Sequence, residues 1–97
     1  MIRHIFLWKV ASGADPDEII RVLNQLSRSI PGIRRWEIGK HQGPLRYAST
    51  FEYGMTADFD SLEQYEAYSE HPEHQNILPV LAPMFAARAV LDLEISD

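Results

Sequence analysis

The chain has 97 residues, 45% of them hydrophobic, with nine basic against fourteen acidic side chains, a formal charge of -5 and no cysteine. That length is one domain's worth, and no Pro/Gly/Ser-rich or low-complexity run divides residues 1–97, so a single unit is expected. The negative balance argues against a general nucleic-acid or anionic-membrane binder, and the lack of cysteine excludes a disulfide framework, a thiol nucleophile and a cysteine-ligated metal.

Met1 to Val10 is too short, and too interrupted by Arg3, His4 and Lys9, for a signal peptide. No segment has the apolar length to span a bilayer, and a cytoplasmic location is expected. Residues 2–10, rich in β-branched and aromatic types, predict a strand with His4, Phe6, Trp8 and Val10 on one face and Arg3, Ile5, Leu7 and Lys9 on the other. Both faces are largely apolar. One is expected to sit under helices of the same chain and the other to meet a partner.

Asp15-Pro16-Asp17-Glu18 predicts a helix start, with Asp15 as N-cap, Pro16 in the first position and Glu18 closing an acidic capping box. Ile19, Val22, Leu23, Leu26 and Ile30 recur at helical spacing, and Pro31-Gly32 stops the run. Ile33 to His41 reads as a second strand, in which Arg34-Arg35 is a solvated edge. Gln42-Gly43-Pro44 is a loop. A third strand is expected within Tyr47 to Phe59, from Phe51 onward, with Phe51, Tyr53, Met55, Ala57 and Phe59 on one face. Gly54 lies on the other face, where a missing side chain permits close backbone approach. Asp60-Ser61 caps a helix from Leu62 to about Tyr68 with Leu62, Tyr65 and Tyr68 inward, and His71-Pro72 ends it. A short helical stretch with Ile77, Leu78 and Leu81 follows, limited by Pro79 and Pro83, and residues 88–95 form a last strand.

Strand, helix, strand, strand, helix, strand is the split βαβ order of an α+β, ferredoxin-like fold with a four-stranded antiparallel sheet. Helices on one side leave the other sheet face bare. Two such faces packed together predict a homodimeric α+β barrel.

The sequence resembles the stress-responsive A/B-barrel (Dabb) domain family over essentially its whole length. The likeness is carried by Ile2-Arg3-His4, Ile30-Pro31-Gly32-Ile33, Phe59-Asp60-Ser61-Leu62-Glu63, His71-Pro72-Glu73-His74 and Val90-Leu91-Asp92. It implies a small domain that pairs into a barrel, in a family whose activities are mostly unknown. His4, Tyr68, His74 and Asp92 are similar to the site positions of the family's plant olivetolic acid cyclase, which works without a cofactor. The resemblance therefore implies a catalytic set of His74, Tyr68, His4 and Asp92.

Such a set has a chemical logic of its own. Imidazole can take a proton from a methylene flanked by carbonyls, so His74 is the expected base. Asp92 is expected to hold its other ring nitrogen, while Tyr68 and His4 donate to the enolate oxygen. Phe6, Trp8, Met55 and Phe85 supply an apolar wall for substrate. Each residue also has a structural reading: His71-Pro72-Glu73-His74 as a helix-terminal turn, His4 and Tyr68 as core residues with satisfied polar atoms, and Asp92 at the surface. His71 and His74 could share a metal only on a regular helix, which Pro72 disfavours, so no metal is expected. No cofactor is expected either, and P-loop, dinucleotide and nucleophile-elbow motifs are absent from the sequence.

Two functions compete. One is a cofactor-independent cyclase, isomerase or related enzyme acting by histidine proton transfer on a small apolar carbonyl or aromatic compound. The other is a non-catalytic, stress-responsive dimer or ligand-binding protein. A cavity of about 300 Å³ or more faced by His4, Tyr68 and His74 favours the first.

Overall fold

A computed structural model describes residues 1–44 and 51–96. Four strands, β1 (Ile2–Val10), β2 (Arg35–Lys40), β3 (Tyr53–Phe59) and β4 (Phe85–Glu94), form one antiparallel sheet in the order β2-β3-β1-β4. Helices α1 (Pro16–Ser29), α2 (Leu62–Glu70) and α3 (Pro72–Leu81) pack on one face of it. The result is an α+β, ferredoxin-like fold.

The register follows from alternation along β1. His4 lies opposite Ala57 on one side and Asp92 on the other; Phe6 lies between Met55 and Val90, and Trp8 between Tyr53 and Arg88. All of these point toward the helices. Trp8, Phe59, Ile19 and Met55 are fully buried there, each contributing about 1.5–3 kcal/mol against the entropy of ordering the chain. The α1 stripe supplies Ile19, Leu23 and Leu26 to the same core. On the opposite face Ile5 and Leu7 are partly exposed, and Leu91 and Leu93 are exposed. This face also carries Arg3, whose guanidinium grips Asp58 through two bonds of 2.8 and 2.9 Å and holds that carboxyl below its usual range. Gly54 pairs with Leu7, and a Cβ there would lie 3.1 Å from a Leu7 methyl, so what approaches closely is a side chain rather than the expected backbone.

Several local expectations need correction. Asp15 caps α1 by accepting from the Asp17 N–H at 2.9 Å, but Glu18 does not close a capping box. Its carboxylate instead takes the Arg21 guanidinium one turn on, a strong charge-assisted contact that the backbone N–H cannot match. Leu62 is 55% exposed rather than inward. The third strand starts at Tyr53, two residues later than expected, although the Glu52 N–H still donates to the Trp8 carbonyl at 2.9 Å and its side chain accepts from the Val10 N–H at 2.8 Å; Tyr47 lies outside the described residues. β4 starts at Phe85, three residues early, because a bulge between Lys9 and Val10 lets Phe85 pair with Val10.

The junction of α2 and α3 is the most economical local device in the fold. His71 is extended, the geometry favoured before a proline, and it ends α2 while its ring nitrogen Nδ1 accepts from the Glu73 N–H to cap α3. Pro79 falls inside α3, in its last turn, where it removes one backbone donor without ending the helix.

Candidate functional site

A cavity of about 500 Å³ lies between the sheet and the α2–α3 pair. β1 contributes His4 and Phe6 to its lining and β3 contributes Met55. Tyr65 and Tyr68, three apart on α2, present one face to it. His74 sits in the first turn of α3, and Phe85, Arg88 and Val90 come from β4.

The polar groups gather at one end. His4 Nδ1 and Asp92 Oδ1 are 2.6 Å apart, directly across the β1–β4 ladder. With the Asp92 carboxylate as acceptor, Nδ1 carries the proton, and in the tautomer this pairing selects Nε2 holds the lone pair. Nε2 has no hydrogen-bond partner among the described residues and is not sealed from the cavity. The same is true of the Tyr68 hydroxyl. Its ring is held by Phe59 at 5.1 Å and by the His74 ring at 4.8 Å, between centroids. Burial pushes the Tyr68 hydroxyl well above the ordinary phenol range, with Tyr65 adding to the effect, so it stays protonated.

The Tyr65 ring lies tilted against that of His4, with centroids 5.0 Å apart. Burial raises its pKa to about 12, helped by the Asp92 charge and by a hydrogen bond to that carboxylate. Asp92 therefore serves two aromatic partners. The His74 ring is pushed the other way: burial lowers its pKa and the nearby His4 lowers it further, against the opposing effect of a hydrogen bond from the ring to the Ser69 backbone carbonyl. Its Nδ1 is buried with no partner among the described residues, and a ring in that setting stays neutral at pH 7.

The structure thus brings His4, Tyr68 and His74 around one cavity, with Phe6, Met55 and Phe85 in its wall. Two expectations are overturned. Asp92 supports His4, not His74, because the ladder sets His4 and Asp92 on neighbouring strands facing the same side, while His74 is reached only from above. Trp8 does not line the cavity: it is fully buried between Phe6 and Tyr53, with ring centroids at 5.5 and 5.7 Å. Tyr65 is the residue that sequence reasoning assigned to the core alone. Its signal was the three-residue spacing from Tyr68, which places both rings on one helix face. Among the described residues no group of three or more His, Asp or Glu side chains is arranged to hold a metal ion. No described helix is long and apolar enough to cross a membrane.

The sequence matches the stress responsive A/B barrel domain over residues 2–95. This chain belongs to the Dabb family. None of the curated proteins compared matches it. Among solved structures, a dimeric ferredoxin-like protein of unknown function from Thermobifida fusca is 30% identical, with 97% of this chain and 90% of that one covered and a TM-score of 0.80. The hydroxynitrile lyase from Passiflora edulis is 22% identical over 99% of this chain and 94% of that one, with a TM-score of 0.88. A Dabb family protein with a ferredoxin-like fold from Mesorhizobium loti is 19% identical over 99% and 97%, with a TM-score of 0.78. In this Dabb chain, the likeness at such low identities concerns the fold; the cavity's chemistry rests on its own residues.

Proposed function

We propose that this Dabb domain is a cofactor-independent enzyme that moves a proton on a small apolar carbonyl or aromatic compound, with His4 as the base. The observation that carries this is the 2.6 Å His4–Asp92 pair, with the far nitrogen of the ring open to a cavity beside an unpaired Tyr68 hydroxyl. His4 Nε2 takes the proton of an acidic C–H. The electron pair of that bond moves onto the adjacent carbonyl oxygen, and the Tyr68 O–H donates to the enolate as its charge develops. Asp92 stabilises the imidazolium, which returns the proton when the enolate has formed its new bond or is reprotonated elsewhere. His74, kept neutral by burial, places a second imidazole in the cavity without adding positive charge.

The same base could take the hydroxyl proton of a cyanohydrin, whose C–CN bond then breaks to give a carbonyl and cyanide. The name of the Passiflora relative makes that substrate class worth including. The domain works as a homodimer joined through the face of Ile5, Leu7, Leu91 and Leu93, a reading supported by the exposed leucines there and by the dimeric Thermobifida relative.

The test is a panel of β-keto thioesters, aryl ketones and cyanohydrins, followed by product formation and by C–H exchange in deuterated water. Turnover by the wild type, lost in His4→Gln and reduced in His74→Gln, is expected. Full activity in His4→Gln moves the base elsewhere. No turnover or exchange with any class makes a ligand-binding dimer the better account.

A further inference from the structure

The cavity described above has a second polar end, and its chemistry is different. Arg88 lies on β4 opposite Trp8, four residues before Asp92 and on the same face, and it borders the cavity. It is exposed, and it forms no ion pair among the described residues, unlike Arg3, Arg21, Arg34 and Arg35. Among the described residues no carboxylate lines the cavity, and Arg88 is the one Arg or Lys in its wall. On a chain with an excess of acidic over basic groups, a lone cation at the rim of an apolar hollow is the place where an anion is held most readily. At a strand rise of about 3.3 Å per residue, Arg88 and Asp92 are roughly 13 Å apart along β4. The stretch between them is walled by Phe6, Met55 and Val90, with Phe85 beyond Arg88 at the far end.

We infer that the ligand is an amphiphilic carboxylate: an apolar or aromatic body lying along β4, its reacting end at His4 and its carboxylate on Arg88. The inference rests on the cavity being the active site, and it adds the charge and the length of what enters. A guanidinium fits this task because its planar fork takes both carboxylate oxygens at once. The phenyl and chain of 6-phenylhexanoate match the span, and 6-phenylhexan-1-ol has the same body without the charge.

Binding of these two probes is measured by calorimetry on the wild type, Arg88→Gln and Arg88→Lys, at low and at high salt. Arg88 is exposed on an edge strand, so its replacement leaves the fold intact, and the circular dichroism melt verifies this. The wild type is expected to hold the carboxylate about three- to tenfold more tightly than the alcohol, a preference that salt erodes. Arg88→Gln removes the preference while leaving alcohol affinity unchanged, and Arg88→Lys keeps only part of it. Equal affinity of the wild type for both probes, or an unchanged preference in Arg88→Gln, overturns the inference but leaves the proton-transfer reading standing, since that is decided by turnover in His4→Gln. Binding of neither probe overturns it as well, because the cavity then does not accept an apolar body of this length.

Discussion

Replacing Tyr68 with Phe removes one hydroxyl and nothing else, and the site makes two separate statements about the result. The ring is 3% exposed and packs against Phe59, His74 and, at 6.4 Å, Trp36. All of that packing survives in Phe. Since the hydroxyl has no hydrogen-bond partner among the described residues, its loss should change stability by less than about 1 kcal/mol, and in a domain of this size the melting temperature by no more than about 4–8 °C. Tyr68→Ala deletes the ring as well and should cost about 3–5 kcal/mol. Turnover behaves differently. If the hydroxyl donates to a developing oxyanion, Tyr68→Phe should lower kcat/KM by about 10²–10³ on whichever substrate the wild type turns over. Because burial holds the Tyr68 hydroxyl above the ordinary phenol range, its ionisation should produce no alkaline fall in rate below about pH 10. Urea unfolding and steady-state kinetics on the three proteins read both quantities. Two results refute the reasoning: a Phe variant as unstable as the Ala variant, which would show the hydroxyl bound to structure, or a Phe variant with undiminished kcat/KM.

Two further outcomes follow from other parts of the fold. Leu7→Glu places a charge on the bare sheet face next to Gly54 and should shift sedimentation from dimer toward monomer at micromolar concentration; a wild type that sediments as a monomer contradicts the proposed interface. His74 titrates lower in the folded chain than its ordinary 6.5 because it is buried, so between the two values the unfolded state holds more protons. Its contribution to stability is therefore whole above about pH 6.5 and is lost as the pH falls toward the folded value. The urea midpoint of the wild type should drop over that window more than that of His74→Gln, and parallel pH profiles would show that the ring is not desolvated.

The element order was legible in the amino-acid sequence, because its signals are local. Asp15-Pro16 and Ser61 start helices by offering backbone donors a side-chain acceptor or by lacking a donor. The residue before Pro72 leaves helical geometry because the proline ring crowds it, a local steric bias. The alternation of β1 likewise fixed that His4 and Phe6 share a face, since side chains along a strand alternate whatever lies above them. Local signals also misled where a stronger neighbour intervened: Glu18 met Arg21 before it could reach the cap, and the bulge at Lys9/Val10 let β4 begin at Phe85. The partnership of Asp92 belonged to neither category. The sequence supplied two histidines and one carboxylate, and the family resemblance assigned that carboxylate to His74, eighteen positions away, rather than to His4, eighty-eight away. Only the β1–β4 register, with His4 opposite Asp92, decided it, because a strand pairing brings residues within hydrogen-bond reach regardless of their separation in sequence. Tertiary structure also decided that Trp8 fills the core while Tyr65 borders the cavity. Both are amphipathic aromatics by composition, and the difference lies in where the α2–α3 pair leaves space above the sheet.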